Sequence, residues 1–129
     1  MSEYGAPHVL VVEDNSALAN VLKFNLKRSG FDVSIARNGR EAWDILQNHP
    51  ADLVIADHQM PELSGIELCK LIRGHDQMKS IPFILVTAKQ MELDIGRIRT
   101  ELGITQTFSK PFSPAAIINA VRDEMSLAR

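Results

Sequence analysis

The segment Leu53-Val54-Ile55-Ala56-Asp57 carries the clearest sign of the chain's architecture. Four apolar residues run without a break and stop on a carboxylate. A short, continuous, partly β-branched run of this kind marks a strand covered on both faces, which is the situation inside a parallel sheet. Upstream, Val9-Leu10-Val11-Val12 has the same character and stops at Glu13-Asp14-Asn15; downstream, Phe83-Ile84-Leu85-Val86 stops at Thr87. Residues 31–36 and the weaker segment 105–109 read as two further strands.

The intervening segments carry helical periodicity. Leu18, Val21, Leu22 and Leu26 recur at three and four residues and predict the inner face of a first helix, which Gly30 closes. Asn38-Gly39 opens a second, with Ala42, Ile45 and Leu46, ending before Pro50. A loop flanked by Pro61 and Gly65 leads to a third over residues 66–72. Ile95, Ile98 and Leu102 share one face of a fourth, closed by Gly103, and its first turn, residues 90–93, offers few core anchors. Ser113-Pro114 supplies an N-cap and a proline at the first helical position for a fifth, with Ile117, Ile118, Val121 and Met125 inward. About five βα units predict an α/β fold with a parallel sheet and helices on both faces. There is no repeat, low-complexity tract or linker, so residues 1–129 read as one domain.

Composition narrows the function. With 45% hydrophobic residues and a formal net charge of −2, the chain has material for a core and is not a generally basic nucleic-acid binder. The single cysteine, Cys69, excludes an internal disulfide framework and a cysteine-rich zinc site, and points to a reducing, cytoplasmic setting. The apolar runs fall far short of the ~20 residues a membrane helix needs.

In an open parallel α/β sheet, ligands bind beyond the carboxyl ends of the strands. Those ends here carry Glu13 and Asp14, Asp57, Thr87 and Lys110. Each has an ordinary reading alone: Asp14 or Asn15 as a helix cap, Asp57 as a turn residue before Pro61, Thr87 as a plain strand end, Lys110 as a solvated lysine. Their coincidence at four strand ends points to one site. Three clustered carboxylates repel one another, and an oxygen-only set with room for water suits Mg²⁺. An Asp beside a metal and a lysine is a fit phosphoryl acceptor, with Thr87 placed to hydrogen-bond an equatorial oxygen.

In order along the chain, the segment from Val9 to Asn15, the strand ending in Asp57 followed by Met60-Pro61 and Ser64-Gly65, Val86-Thr87-Ala88, and Lys110-Pro111-Phe112 resemble the receiver domain of bacterial two-component response regulators over nearly the whole length. The resemblance implies a flavodoxin-like fold of five parallel strands in the order 2-1-3-4-5 with five helices. It implies Asp57 as phosphoacceptor and Mg²⁺ held by Asp14, by Glu13 through water, by Asp57 and by the Gln59 backbone carbonyl. Thr87 and Lys110 would contact the phosphoryl group, and the Lys110–Pro111 peptide would be cis. The donor would be a histidine kinase or histidine phosphotransfer protein docking beside the first helix, and a downstream protein target would read the result. Such a domain is a phosphoacceptor that promotes its own phosphotransfer and dephosphorylation, not an enzyme for a separate substrate.

Three positions depart from the family's usual pattern. Glu13 stands where many members have Asp. Gln59 occupies a position that influences hydrolysis. Thr107 stands where many members carry a Tyr or Phe switch, with Phe108 next to it. A degenerate receiver acting as a phosphorylation-independent interaction module is the alternative that Thr107 keeps open. A flavodoxin is disfavoured because Glu13-Asp14 would repel an FMN phosphate. A haloacid-dehalogenase-type phosphatase is disfavoured because Gln59 replaces the acid two residues after the nucleophile. The sequence ends at Arg129 just after the fifth helix, so the expectation is a stand-alone receiver or a piece of a larger regulator or hybrid kinase.

Overall fold

The structure, a computed structural model, describes residues 6–88 and 94–127. Among them, strands β1 (His8–Val12), β2 (Asp32–Ala36), β3 (Leu53–Asp57), β4 (Phe83–Thr87) and β5 (Gln106–Ser109) alternate with helices α1 (Ser16–Arg28), α2 (Gly39–Asn48), α3 (Gly65–Arg73), α4 (Ile95–Leu102) and α5 (Pro114–Leu127). All pairings are parallel and the sheet order is β2-β1-β3-β4-β5, the topology expected from the resemblance.

Alternation along the strands divides the core in two. Leu10, Val12, Val54, Ala56, Phe83 and Leu85 face one side, packed with Leu46, Leu68 and Ile72. Val9, Val11, Leu53, Ile55, Ile84 and Val86 face the other, packed with Leu22, Leu26, Ile117 and Val121. This double cover is why the strands read as unbroken apolar runs.

Helix ends follow local chemistry. At the end of α1, Gly30 adopts φ +97°, and the N–H groups of Gly30 and Phe31 donate to the carbonyls of Lys27 and Leu26 at 3.1 Å each. That is the left-handed glycine stop read from sequence. Ser64 and Glu67 form a reciprocal capping box on α3. One expectation fails: Val21 is 42% exposed. The buried stripe of α1 is Ala19, Leu22 and Leu26, and it leaves Val21 on the solvent side with Phe24. There the Arg28 guanidinium lies 5.6 Å from the centre of the Phe24 ring. The predicted first turn of the fourth helix, residues 90–93, lies outside the described residues.

Candidate functional site

Strand register assembles the site. Val12 is aligned with Ala56, which brings Glu13 level with Asp57. Asp57 is aligned with Val86 and Thr87 with Ser109, so Thr87 and Lys110 stand at the same edge. Backbone bonds extend the ladders past the strand ends. Glu13 N–H donates to the Ala36 carbonyl at 2.9 Å, His58 N–H to Val86 at 2.9 Å, and Lys110 N–H to Thr87 at 3.1 Å.

The loop after β1 separates two roles that the sequence left open. Asn15 caps α1, its Oδ1 accepting from Leu18 N–H at 3.0 Å. Asn15 N–H donates to Glu13 Oε2 at 3.0 Å. Asp14 is exposed and takes no part in the cap, so its carboxylate is available to a ligand.

The Asp57 side chain is 3% exposed. Its Oδ1 accepts from Gln59 N–H at 3.2 Å, and its Oδ2 lies 2.9 Å from Lys110 Nζ. The chain then folds back closely enough that a Cβ on Gly65 would sit 2.6 Å from the Asp57 carbonyl oxygen, so only glycine fits there. Lys110 follows β5 through a cis Lys110–Pro111 peptide, as the resemblance implied. Its ammonium also reaches Glu13 Oε1 at 3.1 Å. Thr87 is fully buried at the end of β4.

Carboxylate oxygens of Glu13, Asp14 and Asp57 all lie within 4.8 Å of one another. Three carboxylates against one ammonium leave an excess of negative charge. Burial pushes the Glu13 carboxyl above its usual range, against the lowering effects of Asn15 N–H and Lys110. Burial works against the Lys110 ammonium too, but its hydrogen bonds and charge pairing with Asp57 and Glu13 outweigh that and hold its pKa above the ordinary value. The donor set is oxygen-only, with one exposed member, and fits a hard divalent cation.

Beside Glu13 a cleft of about 240 Å³ opens between α1 and β2, lined by Ser16, Ala19, Asn20, Ile35 and Arg37. Arg37 directly follows β2. Extending the strand-end rule to the second strand would have found it. On β5, register and alternation separate two neighbours. Thr107 is aligned with Leu85 and shares its face, the same face as Thr87. Phe108 is aligned with Val86 and packs with Phe112 on the opposite side. Phe108 therefore does not stand in for the aromatic that Thr107 lacks.

The comparisons with known proteins agree with this arrangement. Residues 9–122 match the response regulator receiver domain, and the chain belongs to that family. It is 38% identical over 109 residues to the alkaline phosphatase synthesis transcriptional regulatory protein PhoP of Bacillus subtilis; the match covers 84% of this chain and 44% of that protein, so the chain spans less than half of this relative's length. The receiver domain of the Francisella response regulator 1452 superposes with a TM-score of 0.84 at 28% identity, over 95% of this chain and 99% of that one. The receiver domain of a signal transduction histidine kinase from Syntrophus aciditrophicus gives 0.82 at 33% identity, over 94% and 91%. The chain is thus a receiver domain of a two-component system, a class that implies a kinase partner. Its acidic cluster is typical of the receiver Mg²⁺ site. Among the described residues, no helix is long and apolar enough to cross a membrane.

Proposed function

We propose that Asp57 takes a phosphoryl group from a phosphohistidine of a histidine kinase or histidine phosphotransfer protein. An Asp57 carboxylate oxygen forms the new bond to phosphorus as the phosphorus–nitrogen bond breaks, and the imidazole leaves with that electron pair. The observation that carries this reading is the Lys110 ammonium, which touches both Asp57 and Glu13 while Asp14 closes the cluster. Lys110 orients Asp57, and its charge offsets that of the incoming phosphoryl oxygens. The Gln59 N–H fixes the other Asp57 oxygen. The Thr87 hydroxyl donates to a phosphoryl oxygen. Glu13, Asp14, Asp57 and the Gln59 carbonyl would hold Mg²⁺, which when bound supplies the positive charge the carboxylates lack. The exposed Val21 and Phe24 on α1 offer the donor an apolar landing on that helix. A downstream protein then distinguishes the two states on the side formed by α4, β5 and α5.

The test is an intact-mass spectrum after incubation with Mg²⁺ and a small-molecule phosphodonor. One added phosphoryl group is expected on the native chain and none on Asp57→Asn. Equal labelling of the variant would overturn the assignment.

A further inference from the structure

Arg73 is the last residue of α3. Its Nε donates to the Leu102 carbonyl at 2.6 Å and its Nη2 to the Gly103 carbonyl at 3.0 Å, both at the C-terminal end of α4. Its Nη1 donates to the carbonyls of Lys79 at 3.0 Å and Ile81 at 2.7 Å, in the segment that leads into β4. One rigid fork thus ties the end of α3, the approach to β4 and the end of α4 together. A guanidinium suits this because its donors are fixed in a plane and the carbonyl end of a helix attracts a cation. Arg99 adds a lesser, exposed tie to the Thr105 carbonyl at 2.9 Å, and Thr105 in turn bonds Phe83 on β4 through both backbone and hydroxyl.

The other end of α4 has no such anchor among the described residues. Asp94 caps it through Arg97 N–H, and the ion pairs Asp94–Arg97 and Arg97–Glu101, at 3.8 and 3.9 Å, join side chains 60–67% exposed. No residue of α4 is fully buried. Thr87 connects through the chain to this N-terminal end and not to the clamped one.

We propose that Arg73 makes the C-terminal end of α4 a fixed pivot, so that a change at Thr87 is taken up at the N-terminal end, over residues 94–98, and not at Leu102 and Gly103. The coupling to phosphorylation rests on the function proposed above; the clamp does not. The geometry also explains how a receiver with Thr107 in place of an aromatic can alter its outer face, because the motion needs no ring to insert.

Amide exchange of the full chain separates the two parts. In the unphosphorylated protein, the amides of Gly103 and Ile104, both bonded to the Arg99 carbonyl, should exchange at least tenfold more slowly than those of Arg97 and Ile98. Arg73→Lys keeps the charge and loses the fork, so it should abolish that difference and leave residues 97–98 unchanged. Arg73→Ala should do the same where it folds. Protection at residues 103–104 equal to the native value in both variants would overturn the clamp. After phosphorylation, checked by mass, the native chain should change at residues 94–98 and not at 102–104, while in Arg73→Lys the change should spread to 104. A native change greatest at 102–104 would overturn the pivot. Absence of labelling at Asp57 would count against the proposed function, and the unphosphorylated measurement would still decide the clamp.

Discussion

Lys110 and Arg73 are both partly buried cations set against oxygen, and their surroundings differ in kind. Arg73 meets four neutral carbonyls, its charge answered by helix-end dipoles. Lys110 meets two buried carboxylates with a third close by, and one ammonium does not balance them. The region around Arg73 is complete as folded and works as a brace. The region around Lys110 carries an excess of negative charge, the property by which, in the proposed function, it would gather a cation and then a phosphoryl group. The proposed mechanism uses both: a pocket short of positive charge, and a braced helix end about which a local change would turn.

Two glycines sharpen the contrast most. At Gly65, an added Cβ would press on the Asp57 carbonyl at 2.6 Å and on His58 Cα at 3.0 Å, all backbone. Gly65→Ala is expected to cost about 3 kcal/mol in urea unfolding and to slow labelling of Asp57. At Gly103, near Arg73, the nearest atom is Arg73 Nε at 3.6 Å, and the cost comes only from φ +62°. Gly103→Ala should cost about 1 kcal/mol and leave labelling unaltered. A reversed order would mean that the acceptor loop yields more readily than the brace.

Replacing the two cations by Met tests the charge argument. In chelator, Lys110→Met should lose about 2 kcal/mol, since it strands Glu13 and Asp57, and saturating Mg²⁺ should restore most of that loss. Arg73→Met should lose a similar amount, unaffected by Mg²⁺. Urea titrations with and without the metal distinguish the cases.

The smallest expected effect is on pH dependence. The folded-state pKa of Glu13 is raised above 4.5, so in a window just above that value the folded chain retains a proton that the unfolded chain has lost. Without metal, stability therefore falls as pH rises through the window and levels off above it. Glu13→Gln should flatten this slope. Lys110 acts at the other extreme: its raised pKa contributes stability that is complete below 10.5 and is lost as pH climbs past the folded-state value. Unfolding curves taken across pH in chelator would show both; an unchanged acid-side slope in Glu13→Gln would assign it to another group.

The strands and their acidic ends were legible because burial on both faces leaves an unbroken apolar run, and the run stops where solvent and ligand begin. Asp57, Glu13 and Thr87 could be read that way; Lys110 follows the weaker β5 segment, Gln106–Ser109, and was placed by the count of βα units. Val21 could not: its spacing suits the buried stripe of α1, and only the packed helix shows that Ala19 takes the inner position. The opposite facing of Thr107 and Phe108 needed the β4–β5 register. Arg73 was invisible because two of its partners lie 29 and 30 residues further along the chain and are backbone carbonyls, which carry no residue signature. The Lys110 contact with Glu13 depended likewise on β1 and β3 being aligned.

The pocket's need for positive charge is tested most directly by thermal melts of the native chain and of Asp14→Ala, with millimolar Mg²⁺ and with chelator. A site that Mg²⁺ completes should melt roughly 5 °C or more higher with the metal, and Asp14→Ala should remove most of that rise. A native melt that ignores Mg²⁺, or a rise of the same size in Asp14→Ala, would contradict the account.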